Sequence, residues 1–548
     1  MCEFLRVTSA AALTLFFSTP GFAASDQPSH EPHALQAVAD SLGANGDTAG
    51  KDGEDAKSIQ SSADLALAGQ LRDLIETNLQ RYVLRQQDRA SVEAFYTKRD
   101  FAPIWIGTGR PLPRALQAVD FLHGLAADGL DPNDYPTPRF TNADPGRLAA
   151  EELVLTASIA RFVRHASTGR VAFTRVSGSI YFDLTAPDLE QALEQIASGD
   201  DVGAILDAFN PQQLEYKALK AELALARGSL DTEAAVSMPA TYTDAHPIDT
   251  IIANMERWRW LPRDFGAAYV LVNVPDYTLK VVNLGKTVWS TRIVVGKPGK
   301  YATPLLAETM KYITFNPTWN VPPSIIRNEY LPALERDPGA LARIGLKVGR
   351  NEDGSIRIYQ PPGERNALGR VRFNFPNRFL VYQHDTPNKN LFAKTARAFS
   401  HGCMRVENPE QYAEVLLSLS QPEEGYNVKR IHSLYGGDER SINLNKPIPV
   451  YITYQTAFVD DARRLQIRPD IYNWDKDIAS LLRGDSKVAD IPIHRDYGSN
   501  GKPVLAHIPT RRRNEFSEKR YEWEPGWEQT YFQRRSSHYG QIDHYRFW

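Results

Sequence analysis

Cysteine is almost absent: the 548 residues contain two, Cys2 and Cys403. Cys2 lies in a stretch that reads as a leader, so a processed chain carries one thiol. One thiol excludes an internal disulfide and any structural zinc site built from several cysteines. An excess of one charge sign is also missing. The 63 Lys and Arg nearly balance 66 Asp and Glu, a formal net charge of −3, which excludes bulk nucleic-acid binding. No apolar run is long enough to cross a bilayer, the N-terminal one included. There is no His-Glu-x-x-His, no phosphate-binding loop and no Gly-x-Ser-x-Gly elbow. Neither a metal nor a cofactor is expected.

What is present starts with an export pattern. Arg6 precedes the apolar run Ala10 to Phe17, and Gly21-Phe22-Ala23 places small residues at −3 and −1 of a cleavage site. Residues 1–23 are read as a signal peptide, with an uncleaved anchor as the alternative, and the chain is expected in the periplasm. A reactive thiol in an oxidising compartment is safer without a second cysteine. Residues 24–65 have few large apolar side chains and are expected to form a disordered linker.

Over 66–262 the apolar period is helical. Leu71, Ile75, Leu79 and Val83 share one face, and Leu153 to Val163, Leu189 to Ile196 and Leu214 to Leu225 continue the pattern. This reads as a helical scaffold, because no catalytic constellation occurs in it. From 266 to 457 the chain changes to short β-branched runs between turn residues: Tyr269 to Val274, Thr278 to Val282, Thr291 to Gly296, Ile313 to Phe315, Phe379 to Tyr382 and Val450 to Tyr454. A helical insertion is expected at about 322–366. The expected fold class is α+β, a mainly-β domain with a helical cap behind an α-helical scaffold. Residues 458–548 form an extension whose aromatic and basic tail is expected to be partly disordered.

The chemistry concentrates in Ser400-His401-Gly402-Cys403-Met404-Arg405-Val406. A free cysteine is more often a small buried hydrophobe, but a Cys flanked by histidines is a candidate nucleophile. A thiol of pKa about 8.5 needs a base or a cation beside it to attack at neutral pH. His384, at the end of the run Phe379 to Tyr382, is placed to be that base. His401 is two residues from Cys403, where an extended backbone keeps alternate side chains well apart, so it reads as a support. Gly402 permits a tight backbone path that could aim the amides of Gly402 and Cys403 at a developing oxyanion.

With His384-Asp385-Thr386-Pro387 upstream, this stretch resembles the signature of the L,D-transpeptidase (YkuD) catalytic domain, most closely its large YcbB-type periplasmic branch. Asn316 to Pro323, Asn366-Ala367-Leu368-Gly369 and Asn388 to Phe392 match as well. The resemblance implies Cys403 as nucleophile and His384 as general base. It implies an oxyanion hole from Gly402 and Cys403 with His401 and Ser400 in support, and Arg405 bracing the loop. Tyr382, Trp319 and Asn390 would line the substrate channel beneath a cap. The implied reaction is acyl transfer: Cys403 attacks a peptidoglycan stem tetrapeptide, D-Ala leaves, and an amine of a second stem resolves the thioester into a 3→3 cross-link. Carbapenems would acylate the same thiol. Alternatives are the same chemistry used to attach an outer-membrane protein to the wall, or to hydrolyse such links, and a non-catalytic wall-binding protein. One departure stands out. The helical peptidoglycan-binding module usual in that branch has no room between Leu225 and Ile251, so the scaffold or the tail is expected to hold the wall.

Overall fold

The computed structural model describes residues 62–141, 144–228, 247–322, 325–351, 354 and 356–484. The expected leader, nearly all of the linker, the polar segment at 229–246 and the tail from 485 lie outside them.

The helical region is made of α1 (Ser62–Asn78), α2 (Gln86–Lys98), α3 (Pro113–His123), α4 (Pro145–Thr168), α5 (Leu189–Ser198), α6 (Val202–Asp207), α7 (Leu214–Gly228) and α8 (Pro247–Trp258). The i, i+4 set on α1 is buried as its spacing predicts, with Leu71 and Ile75 in the scaffold core. Asp144 caps α4 by accepting from the Arg147 amide at 2.9 Å. Helix α4 is buried on most of its surface and is the hub of the bundle. Its Glu152 accepts from the amides of Ile104 at 2.6 Å and Trp105 at 3.1 Å and from the Tyr96 hydroxyl at 2.9 Å. A short hairpin, β1 (Ile106–Gly107) with β2 (Arg110–Pro111), follows that aromatic cluster.

The second region is a sheet that closes on itself. Strands β4 (Ala268–Asn273), β5 (Thr278–Asn283) and β6 (Lys286–Gly296) form an antiparallel meander. Strands β7 (Leu305–Phe315), β11 (Val371–Asn374), β12 (Gln383–His384), β14 (Met404–Val406) and β15 (Arg440–Thr453) complete the ring. The order is β11-β12-β14-β6-β5-β4-β15-β7, and β7 pairs back onto β11. Closure leaves the ring no free edge. Strand β13 (Ala398–Ser400) pairs with β6 off this path. Alternate residues such as Val270, Val272, Leu279, Val281, Ile293 and Val295 fill the interior.

Two features join the regions. Strand β3 (Ile180–Tyr181), inside the scaffold sequence, runs parallel to the start of β7, so the helical region supplies a strand to the sheet. Arg257 of α8 forms a buried ion pair with Asp475 of a helix at Trp474–Leu482. The extension therefore folds at its start, with the hairpin β16 (Ala457–Val459) and β17 (Leu465–Ile467) preceding that helix.

The cap differs from expectation. Between β7 and β11 lie a π-type turn at Ile326–Tyr330 and two short helices, Leu331–Arg336 and Ala340–Arg343. They pack beside a three-stranded sheet of β8 (Trp319–Asn320), β9 (Lys347–Arg350) and β10 (Ile356–Gln360). The cap is mixed rather than helical. Ile356, Ile358 and Gln360 alternate along β10, and that period-2 signal is what a helical reading passes over. Trp319, Val321, Ile326, Leu341, Leu346, Ile358 and Leu368 form its own small core.

Candidate active site

The expected strand at Phe379 to Tyr382 is a turn. Leu380 has φ +57°, and the Asn377 side chain accepts from the amides of Phe379 and Val381 while donating to the Val381 carbonyl. An Asn can bond its own backbone two residues on, and here that breaks the β run. The strand begins later, at Gln383, and His384 lies within it.

Register then places the side chains. His384 is opposite Arg405 on the parallel strand β14 and opposite Arg372 on the antiparallel strand β11. Gln383 is opposite Met404 and Phe373, and all three are fully buried. The Tyr412 hydroxyl donates to Gln383 Oε1 at 2.7 Å, fixing this face to the core. The ladder runs on through the Met404 amide to the Tyr382 carbonyl at 3.1 Å. By strand alternation, Tyr382, His384, Arg372, Cys403 and Arg405 share the other face.

The nucleophile turn is closed by Ser400. Its hydroxyl donates to the Cys403 carbonyl at 2.5 Å and accepts from the Gly402 amide at 3.1 Å. Gly402 has φ +114°, a backbone state that favours glycine. Its carbonyl accepts from Thr303 Oγ1 at 2.9 Å, which also accepts from the Gly296 amide at 2.8 Å. The expected pair of oxyanion donors is thus reduced. The Gly402 amide is already committed to Ser400, whereas the Cys403 amide donates to no described residue.

His384 Nδ1 bonds the Asp385 carbonyl oxygen. A carbonyl only accepts, so Nδ1 carries the proton and Nε2 keeps its lone pair. Burial, followed by the Arg405 charge, pushes the imidazole pKa down to about 3. Burial also raises the Cys403 thiol to about 11, against the Tyr382 amide, the Tyr382 hydroxyl, Arg405 and Arg372. The thiol and the imidazole on this face therefore both rest neutral. Such a pair can act by moving the proton to Nε2 as sulfur attacks, rather than by storing a thiolate.

The loop after His384 is held rigidly. The Asp385 carboxylate accepts from the amides of Arg370 at 2.8 Å and Thr386 at 2.6 Å, and pairs with Lys389. Gly369 has φ +62°, and a Cβ there would stand 2.2 Å from Asp385 Oδ2. This is the local reason for a glycine in the Asn366 to Gly369 stretch.

The remaining residues divide. Tyr382 and Trp319 pack together in the cap's apolar cluster, and the Trp319 indole interacts with the Tyr382 hydroxyl. Asn390 is exposed on the 3-10 turn Lys389–Ala393. His401 bonds Glu329 of the cap through Nε2 at 3.1 Å and meets the Tyr301 ring edge-on at 4.4 Å. Its ring thus engages the cap instead of backing the oxyanion position. Arg405 Nε and Nη1 are buried with no hydrogen-bond partner among the described residues. Arg372 was missed by sequence reasoning. Its signal was available in Val371-Arg372-Phe373, where a cation alternates with two buried apolar residues.

Two domain families match the chain in sequence. The scaffold-domain family matches residues 90–223, and the L,D-transpeptidase catalytic domain (YkuD) family matches residues 267–436. A Haemophilus influenzae protein assigned as an L,D-transpeptidase is 29% identical over 255 residues, 43% of this chain and 50% of that protein. The chain thus spans half the length of that curated relative. Among solved structures, an L,D-transpeptidase from Mycobacterium smegmatis has 13% identity, coverage of 34% of this chain and 58% of its own, and a TM-score of 0.18. One from Stackebrandtia nassauensis has 14% identity, coverage of 62% and 91%, and a TM-score of 0.15. Cys403 and His384 thus lie in the stretch that matches the L,D-transpeptidase catalytic domain (YkuD) family, downstream of the stretch that matches the scaffold-domain family.

Proposed function

We propose that the protein is a peptidoglycan L,D-transpeptidase that forms 3→3 cross-links through a thioester on Cys403. The observation that carries this reading is the register of β12 with β14, which by strand alternation puts Cys403 on the face of an imidazole whose Nδ1 proton is bound to the Asp385 carbonyl. Sulfur attacks the carbonyl that joins the diamino acid to the terminal D-Ala of a donor tetrapeptide. The thiol proton passes to His384 Nε2, and the Cys403 amide donates to the oxygen as its charge develops. The C–N bond breaks, and the imidazolium returns the proton to the departing D-Ala amine. An amine of a second stem then attacks the thioester, with His384 taking its proton, and the cross-link leaves Cys403 free. The setting would be the periplasm, which fits the expected signal peptide. Carbapenems would acylate Cys403 by the same attack on a strained amide. The whole-protein activity is a proposal also because only half of the curated relative is spanned.

The test is mass spectrometry of the purified protein after incubation with a carbapenem. The expected result is one adduct on the wild type, none on Cys403→Ala, and a far larger loss for His384→Ala than for His401→Ala. No adduct on the wild type, or an undiminished one on Cys403→Ala, would overturn the assignment.

A further inference from the structure

Two guanidiniums lie on the nucleophile's face with nothing to bind. Arg372 and Arg405 flank His384 from the two neighbouring strands. Neither side chain makes a hydrogen bond or ion pair with a described residue, and Arg372 Nε, Arg405 Nε and Arg405 Nη1 are buried without a partner. Some other arginines of the domain are paired, as Arg370 is with Glu364 and Arg292 with Glu407. The carboxylate that follows His384, Asp385, is already taken by two amides and Lys389, and Glu407, two residues from Arg405, is paired with Arg292. The Arg372 guanidinium also sits 5.4 Å from the centre of the Tyr382 ring, which offers it a π face but no lone-pair acceptor there. Each guanidinium presents five N–H donors in a planar fork suited to a carboxylate. Uncompensated, half-buried cations beside a reacting thiol form an anion subsite.

We propose that Arg372 and Arg405 bind the free terminal carboxylate of the donor peptide, the carboxylate of the residue that is expelled. This rests on the reading of Cys403 as the acylated nucleophile. The dimensions fit. Along an extended strand Arg405 Cα lies about 6.6 Å beyond Cys403 Cα. A peptide residue spans about 3.5 Å, so a carboxylate one residue past the attacked carbonyl falls within reach of long side chains around the sulfur. A donor whose last residue is amidated, or extended by another residue, loses or displaces that charge and leaves both forks unpaired. Sites that lose a required polar partner discriminate strongly for this reason. The pair would thus select a donor by where its chain ends.

The experiment compares the rate of Cys403 acylation by a tetrapeptide ending in free D-Ala with the rate for the same peptide ending in a D-Ala carboxamide. The wild type is expected to react at least about tenfold faster with the acid, the size of a lost charge-assisted bond. Arg372→Gln and Arg405→Gln are each expected to slow the acid more than the carboxamide and bring the ratio toward one, while Arg372→Lys keeps part of it. The ratio is taken within each variant, so a smaller folded fraction cancels; if Arg405→Gln does not fold, Arg372→Gln decides. Equal wild-type rates, or an unchanged ratio in the Gln variants, overturn the proposal. A wild type acylated by neither peptide fails earlier and removes the transpeptidase reading itself.

Discussion

His401 Nε2 stands 3.1 Å from Glu329 Oε1, so a residue two positions before Cys403 is tied to the cap. The Tyr301 hydroxyl reaches the same oxygen at 3.4 Å. Glu329 belongs to the π-type turn Ile326–Tyr330, a backbone irregularity often found at functional sites. His401, followed by Tyr301 and Lys297, holds the Glu329 carboxyl below its usual range even though burial opposes them. The contact joins two apolar clusters that are otherwise distinct, those of the cap and of the closed sheet.

The first prediction concerns this contact. Both side chains are about one-third exposed, so the pair is worth at most about 1 kcal/mol. Glu329→Gln should leave overall stability nearly unchanged while raising cap opening by up to about fivefold. Faster amide hydrogen exchange across 319–368, with the sheet unaffected, is the expected signature. A carboxyl with a lowered pKa contributes above its ordinary range and loses its contribution as pH falls through the folded value. Exchange in the cap should therefore accelerate on acidification in the wild type and less so in Glu329→Gln.

Cys403 should react sluggishly with iodoacetamide at neutral pH. Its thiol is raised to about 11 by burial, so the rate should climb through the alkaline range instead of levelling near pH 8.5. Arg405 opposes that rise, so Arg405→Gln should push the profile still further up. A plateau by pH 8.5 in the wild type would refute the neutral-thiol resting state.

Ser400→Ala removes the hydroxyl that spans the Gly402 amide and the Cys403 carbonyl. Ser400 is buried, so the loss should lower stability by about 1–3 kcal/mol. Carbapenem acylation should fall by more than stability alone explains, because the freed turn no longer aims the Cys403 amide. Thermal unfolding and adduct formation, measured on the same samples, separate the two effects.

Gly369→Ala drives a Cβ into the Asp385 carboxylate in a backbone state already unfavourable for alanine. A loss of about 2 kcal/mol or more is expected from overpacking and strain together. The displaced loop carries the carbonyl that fixes the His384 tautomer, so acylation should fall in whatever protein still folds. An unperturbed melting curve would show that the loop gives way without strain.

Some of this was legible in the linear chain and some was not. The helices of the scaffold and the meander β4–β6 follow from apolar period, because period reports which face is buried. Asn377 hid the true start of the strand bearing His384, since a side-chain turn leaves the β-favouring composition intact. The cap misled for a related reason. Its helical starts are real and β9 with β10 is a local hairpin, but β10 also pairs with β8, whose Asn320 lies opposite Tyr359 from far upstream, a partnership that no local window contains.

The sequence by itself determined the identity of the chemistry-bearing groups: a single thiol downstream of Cys2, a histidine nineteen residues before it, a glycine where φ is positive, and the domain family that they resemble. Those are properties of residue type and local spacing. The tertiary structure alone decided that the Gly402 amide is spent on Ser400, that His401 answers to the cap, and that Arg372 and Arg405 flank His384 from the two neighbouring strands. Each of these depends on strand register between segments far apart in the chain, and a one-residue slip in register would turn every such side chain to the opposite face.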